Sequence, residues 1–570
     1  MTEPRTPWLG SYGDVKFHLE YPQCSLSERV LQTAETHLNE TALVFMGKNI
    51  SYRTMRDRID LVARSLAAMG VKKGDRVTVC LPNIPQAVYC FYAINRIGAV
   101  ASMIHPLSAV GEIAFYLKEA ESQYVITLDQ FVKKFYEVQK TVNIKGLIVT
   151  SVGDALSGVL KIGYALTQGR KIDKVVARDG QIVWKDFLSQ GRSYKADPAV
   201  QMAADDVAVV LFSGGTTGVT KGIMLTNLNF NALAYQTAEM NHGKIEGKSM
   251  LAAMPMFHGF GLGVCIHTMM VIGGRSILVP RVNVKEYASL LKKQKPNYIA
   301  GVPTLFEGIT RSPNMDGVDL SCLMGVFSGG DSLSIELKKK FDKFLEDHGS
   351  KVHVREGYGT TECVTASCLT PYNQEREGSI GLPYPDTYYT ICKPGTTEEV
   401  EYGTEGEICL CGPSVMKGYI NHEKENADTL RTHEDGRVWL HTGDLGVMDA
   451  DGFIYFKQRI KRMIITSGYN VYPSQIENII DAHPAVQMSC VIGVKDPYKM
   501  QKVKAFVTLK DGYAPSEELK EEILAYCKKH IAKYAMPYDI EFRESLPKTL
   551  VGKVAYTVLE KEEAEREAKA

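Results

Sequence analysis

The chain has 570 residues, 45% apolar and 23% charged. It is too long for one core, since single cores stop growing at roughly 250–300 residues, and its composition is that of an ordinary soluble folder. Lysine plus arginine equals aspartate plus glutamate at 66 each, so no global field holds a nucleic acid backbone, which is excluded as a partner.

In chain order, residues 1–20 carry early charges and prolines and lack the apolar stretch of a signal peptide, so the sequence predicts a cytoplasmic protein. The twelve cysteines contain no C-x-x-C. Cys409 and Cys411 make only a C-x-C, a poor zinc spacing, and all twelve are read as reduced thiols.

Helical-period stretches at 61–69 and 109–120 alternate with β-branched runs at 77–81, 124–127 and 207–212. That alternation predicts βαβ units and parallel sheets in an α/β fold. Residues 155–172 are apolar with basic residues towards the end; they suit either peripheral contact with the inner face of a membrane or a helix packed on its own domain. Residues 249–274 contain no acid, lysine or arginine, but Pro255, three glycines and two histidines interrupt them, so a buried strand, loop and helix is expected rather than a span.

Glycine-punctuated short strands around 401–413 and 451–456 indicate a small β-rich subdomain. After Arg459 the pattern reads strand, helix, strand, strand, helix, a compact α+β module. The charged run Lys457, Arg459, Lys461, Arg462 divides a domain of residues 1–458 from a smaller one of 459–570, although such a run also suits a solvated loop. The charged tail at 560–570 reads as a frayed helix end.

The strongest motif follows the run 207–212: Ser213, Gly214, Gly215, Thr216, Thr217, Gly218, Val219, Thr220, Lys221, Gly222. Backbone N–H groups, hydroxyls and a lysine on such a loop suit a triphosphate. It is not a Walker A loop, which requires glycine before the lysine and a hydroxyl after it.

With this loop, and three further motifs in the same order, the sequence resembles the AMP-forming acyl-CoA synthetases of the adenylate-forming family, over about residues 26–554. The family usually has serine at Gly214 and proline at Thr220. In Glu356, Gly357, Tyr358, Gly359, Thr360, Thr361, Glu362, the resemblance implies that Tyr358 packs on adenine, Thr361 contacts the α-phosphate and Glu362 holds Mg²⁺ together with Thr217. Gly329, Gly330 and Asp331 match an adenine-side loop, though Asp331 could instead cap the following helix. In Trp439, Leu440, His441, Thr442, Gly443, Asp444, Asp444 matches the ribose ligand. Arg459 matches a nucleotide-binding arginine and Lys461 the hinge, where the family commonly has an acid at the position of Arg462. Lys553 matches the lysine that meets the acyl carboxylate and α-phosphate; the family's arginine shortly after it is absent, with Tyr556 near that place.

For the second half-reaction, Ser467, Gly468 and Tyr469 resemble the segment lining a coenzyme A tunnel. Lys499, Lys502 and Lys504 could meet its phosphates or form a solvated face. His258 matches a gate and orienting group at the acyl carboxylate. Phe260, Gly261, Gly301 and Val302 resemble acyl-site walls, whose glycines either leave space for an alkyl chain or serve packing. The implied reaction joins a medium- or long-chain fatty acid, ATP and coenzyme A through acyl-AMP. An aryl, bile or other bulky acid, a carrier-protein thiol as acceptor, and a silent scaffold of the same fold are the rivals. Oligomeric state is open, a homodimer included.

Overall fold

The computed structural model describes residues 3–156, 158–167, 169, 172, 180–212, 220–466, 469–496, 498–549 and 552–567. Among them four sheets form, two of them large and largely parallel. In the first, Arg76–Cys80 pairs in parallel with both Val100–Met103 and Tyr124–Leu128. Its strands are buried on both faces, as helix-covered parallel strands must be, and so read as unbroken apolar runs. Val207–Phe212 enters this sheet beside Val100–Met103 and returns antiparallel as Gly222–Thr226. These two strands flank the phosphate-loop motif along the chain.

The second sheet carries Ser249–Ala252, Tyr298–Gly301, Gly325–Ser328 and Val354–Tyr358 side by side in parallel. Crevices outside the carboxyl ends of such strands are where ligands bind in open α/β sheets. Residues 249–274 form a buried strand, a loop and the π-helix Phe260–His267, as the interrupting glycines and proline suggest. No helix among the described residues is long and apolar enough to cross a membrane. Helix Gly158–Leu166 buries none of its residues and exposes Val159, Ile162 and Leu166.

The β-rich subdomain is a sheet of Tyr388–Cys392, Gly406–Cys411, Val438–Met448 and Leu430–Thr432, with Ile454–Arg459 on Val438–Met448. The last sheet belongs to the small C-terminal domain and is built on the long hairpin Val486–Asp496 and Met500–Leu509. Its own core of Ile464, Ile480, Val491, Ala505 and Ile523 is separate from the main one.

Two readings change here. The charged tail is not frayed through Glu567: helix Tyr556–Glu567 packs Leu559 and Tyr556 against Cys490, Ile492 and Phe506. One face of a highly charged segment is thus apolar, a signal too short for periodicity to register. Lys504, a candidate phosphate contact, is 5% exposed and pairs with Glu541 at 2.8 Å and Glu563 at 2.9 Å. It is committed to holding that helix.

A buried charge that loses its partner costs several kcal/mol, because the remaining ion is left desolvated. Lys504→Met leaves the buried Glu563 and its neighbour Glu541 sharing the half-exposed Arg566 in place of the buried ammonium. It is expected to lower stability by about 3 kcal/mol, read by urea unfolding of the intact chain. A loss below about 0.5 kcal/mol would mean that solvent screens the pair.

Candidate active site

The site is built where the second large sheet, the β-rich subdomain and the C-terminal domain converge. Val354–Tyr358 ends at Tyr358, whose hydroxyl donates to Asp444 Oδ2 at 2.8 Å. Asp444 lies in Val438–Met448 directly opposite Arg459 of Ile454–Arg459, so strand register alone sets carboxylate against guanidinium. Arg459 Nε stands 3.2 Å from Asp444 Oδ1, yet out of line for a hydrogen bond, and that buried oxygen has no donor among the described residues. Burial raises the Asp444 carboxyl above its usual range, while Arg459 and the Tyr358 hydroxyl oppose the rise. An oriented, buried acceptor without a donor is what a sugar hydroxyl requires.

Thr360 is buried and Thr361 opens the 3-10 turn Thr361–Cys363, which ends at Val364 with φ 65° and ψ −57°. Positive φ is a true outlier for a β-branched residue and clusters at functional sites. Here it drives the Val364 carbonyl into the place a side chain on Gly259 would occupy, 1.7 Å from an added Cβ. Gly359 is pinned likewise by the Thr365 carbonyl at 2.0 Å.

Glu362 accepts from the Tyr419 hydroxyl at 2.9 Å, and Lys221 Nζ sits 4.7 Å from the centre of the same ring. Tyr419 escaped sequence reasoning. It arrives through the short pairing of Gly418–Tyr419 with Gly222–Thr226, a non-local bridge that no local pattern announces. Ser213, Gly214, Gly215, Thr216, Thr217, Gly218, Ser467 and Gly468 lie outside the described residues. Tyr469 is described: it is 56% exposed and stacks on Tyr534.

Gly330 follows the strand Gly325–Ser328 with φ 82°, and an added Cβ there would lie 3.5 Å from Lys553 Cε. The Lys553 turn is held against the large domain by Thr304 Oγ1, which donates to the Gly552 carbonyl at 2.9 Å. Burial lowers the Lys553 ammonium, and Asp331, Asp444 and Glu362 counter it. Asp331 does not cap the next helix; Ser334 does, accepting from Leu337 N–H at 3.2 Å. Lys461 is exposed in the short turn Ile460–Arg462.

His258 Nδ1 accepts from Phe260 N–H at 3.2 Å, so the neutral ring carries its proton on Nε2. Burial, with Lys553 adding to it, pushes the imidazole down to about 3. An apolar cavity of about 30 Å³ lies beneath, lined by Phe260, Val264, Phe327, Leu369 and Tyr384, with Ser328, Gly329 and Gly330 at its polar side. Gly261, Gly301 and Val302 do not line it. An added Cβ on Gly261 would meet the Pro255 carbonyl at 2.2 Å, and one on Gly301 the Phe306 ring at 2.9 Å. These glycines serve close packing and do not leave room for a chain. Val302 instead faces the lysine turn, 3.6 Å from where a side chain on Gly552 would begin.

The Arg462 guanidinium lies 4.7 Å over the Tyr556 ring and pairs with Glu477, so a cation–π contact links two positions singled out in the sequence.

Residues 30–420 match the AMP-binding enzyme family and residues 475–553 the AMP-binding enzyme C-terminal domain. The long-chain-fatty-acid–CoA ligase of Bacillus subtilis (strain 168) is 35% identical over 99% of both chains. The enzyme of the same name from Salmonella typhimurium is 31% identical over 96% of both. ATP-bound MatB from Rhodopseudomonas palustris superposes with a TM-score of 0.82 at 25% identity, covering 95% of this chain and 99% of that one. An anthranilate CoA ligase, AuaEII, holding anthranoyl-AMP shares the fold, with a TM-score of 0.81 at 23% identity.

Because His258 titrates at about 3, it is neutral throughout the working range and adds no inflection to a pH–rate profile between pH 5 and 9. The expected result is that His258→Gln lowers the plateau without changing the profile's shape. A wild-type inflection near 6.5 that disappears in the variant would assign His258 a proton-transfer role.

Proposed function

The chain belongs to the AMP-binding enzyme family, and we propose that it activates a long-chain fatty acid with ATP and transfers the acyl group to coenzyme A. In the first step a carboxylate oxygen attacks the α-phosphorus, the bond to pyrophosphate breaks, and acyl-AMP forms. In the second, the coenzyme A thiolate attacks the acyl carbonyl carbon and AMP departs. The likeness to long-chain-fatty-acid–CoA ligases over the whole chain supports the choice of acid.

Phosphoryl chemistry of this kind asks the protein for position and positive charge rather than covalent help. Lys553 supplies the charge at the carboxylate and α-phosphate; Tyr358 faces adenine; Asp444, through Oδ1 without a donor, takes a ribose hydroxyl. Arg459 and the Gly329, Gly330, Asp331 loop border the nucleotide, and Gly357, Gly359, Thr360, Thr361 and Lys221 surround the phosphates. His258, an Nε2–H donor, orients the carboxylate. Mg²⁺ suits the Glu362 carboxylate, whose orientation Tyr419 fixes from Oε1; hard cations prefer carboxylate and phosphate oxygens, and Thr217 would join it. Such an ion neutralises charge on the leaving phosphates.

The observation that carries this reading is Lys553 laid across Gly330 within the field of Asp331, Asp444 and Glu362. It is the arrangement suited to adenylation. Thiolation then calls for the small domain to turn and present Ser467, Gly468 and Tyr469 to the acyl site. The bonding on either side of the hinge supports a pivot at Lys461. Arg459 is tied to Asp444 in the large domain, and Arg462 to Glu477 and Tyr556 in the small one. Only Ile460 and Lys461 lie between. Turning would break Thr304–Gly552 and the 2.9 Å ion pair of Arg311 with Asp511.

Lys553→Ala is expected to lower adenylate formation from acid and ATP at least about 100-fold, the scale of losing one positioned electrostatic group. Thiolation of supplied acyl-adenylate should survive. Equal loss of both half-reactions would count against two conformations. Incubation with ATP, coenzyme A and a panel of acids from acetate to palmitate, with benzoate and anthranilate, identifies the substrate; acyl-CoA is expected for the long-chain acids. AMP release without acyl-CoA would remove coenzyme A as acceptor.

A further inference from the structure

The β-rich subdomain buries a second group of reactive side chains that the reaction does not use. Cys392 Sγ, Cys409 Sγ and a ring nitrogen of His433 lie within 4.8 Å of one another, all buried. His441 adjoins two of these: its Nε2 is 3.0 Å from His433 Nε2 and its Nδ1 is 3.4 Å from Cys409 Sγ. Three strands assemble the group. Cys409 stands opposite His441 across one pairing, Cys392 is brought in diagonally across the other, and His433 sits in the turn beyond Leu430–Thr432.

Hydrogen bonding fixes what each group offers. Glu407 Oε2 lies 3.0 Å from His441 Nδ1, and Glu407 Oε1 accepts from Gly443 N–H at 2.9 Å. A carboxylate so placed holds the proton of His441 on Nδ1, which turns the lone pair of Nε2 towards His433. His441 is thereby the hydrogen-bond partner of His433, and metal-binding histidines typically have such a partner behind them. With both oxygens occupied, Glu407 supports the cluster from outside. Trp439 stacks on the His433 ring, 5.1 Å between centres and 18° between planes, and fixes its orientation.

We propose that Cys392, Cys409 and His433 bind one zinc ion, with His441 and, behind it, Glu407 as positioning residues. Thiolate with imidazole is a zinc ligand set, and three protein ligands leave the fourth tetrahedral position to water. Binding converts both thiols to thiolates and releases two protons to solvent. The C-x-C spacing is not the unit: Cys411 lies outside the set.

The position gives the ion a purpose. His441 and Gly443 both hang from Glu407, and the next residue is Asp444. A zinc ion on His433 would brace, through His441, the strand that presents Asp444 without touching the nucleotide.

The intact chain, purified reduced and freed of metal, is titrated with Zn²⁺ against a chromophoric chelator. About one tightly bound zinc per chain is expected, retained in Cys411→Ser and lost in Cys392→Ser/Cys409→Ser. Glu407→Gln should weaken zinc affinity about 10–100-fold, as loss of a supporting carboxylate does. Co²⁺ in the intact chain should give thiolate charge-transfer bands and the intense visible absorption of a tetrahedral site, which decides the matter even if the double variant does not fold. Weak octahedral Co²⁺ absorption, absence of stoichiometric zinc, or equal zinc in a folded double variant would overturn the proposal. So would a thiol count two short in the oxidised chain with no metal uptake after reduction, the sign of a Cys392–Cys409 disulfide alone.

Discussion

A carboxylate cannot be buried cheaply, and much of this site is arranged around one that is. Asp444 is 2% exposed; ionised, it needs compensation that water no longer gives. Arg459 supplies the charge, Tyr358 one hydrogen bond, and the second oxygen is left without a donor. Each partner arrives on a different element, so the requirement of one residue fixes how the β-rich subdomain meets the large parallel sheet. Lys553 joins the same field from the third body, its ammonium disfavoured by burial and restored by the acids around it. The cation is stable there only while those acids are within reach, which gives the small domain an electrostatic reason to prefer this docking.

The sequence made part of this legible for identifiable reasons. Strands buried on both faces leave unbroken apolar runs, so Val207–Phe212 and its neighbours stood out, and glycines with prolines gave away the broken stretch at 249–274. The candidate site residues could be named because they fall in short contiguous motifs, and the structure brings Tyr358, Asp444, Arg459, Glu362 and Lys553 to one place. What escaped depends on pairings between distant segments. Tyr419 reaches Glu362 only through the two-residue strand Gly418–Tyr419. Cys392 and Cys409 come together only because two strands run antiparallel, whereas spacing along the chain sets Cys409 only beside Cys411, a poor zinc pair.

Glycine illustrates the opposite error. In Gly259, Gly261 and Gly301 the sequence offers absence of a side chain, which reads equally as room for a ligand or as contact with backbone. Geometry decides for contact. The space that does exist is walled by Phe260, Val264, Phe327, Leu369 and Tyr384 and is far too small for a long alkyl chain at about 30 Å³. Its inner wall includes the π-helix Phe260–His267, whose irregular hydrogen bonding is often found at functional sites. Opening that wall is a smaller rearrangement than unpacking a regular helix.

The contact of Val364 with Gly259 bears on how such a chain can diversify. A strained turn beside Thr360 and Thr361 presses its carbonyl onto the loop that carries His258. Neither partner tolerates replacement alone: a side chain at Gly259 collides, and relaxing Val364 withdraws the surface that holds the loop. The two loops are therefore coupled, and a change in one demands a change in the other. New acid preferences are left to arise at Val264, Leu369 and Tyr384, where a change of volume alters the pocket and leaves the chemistry where it was.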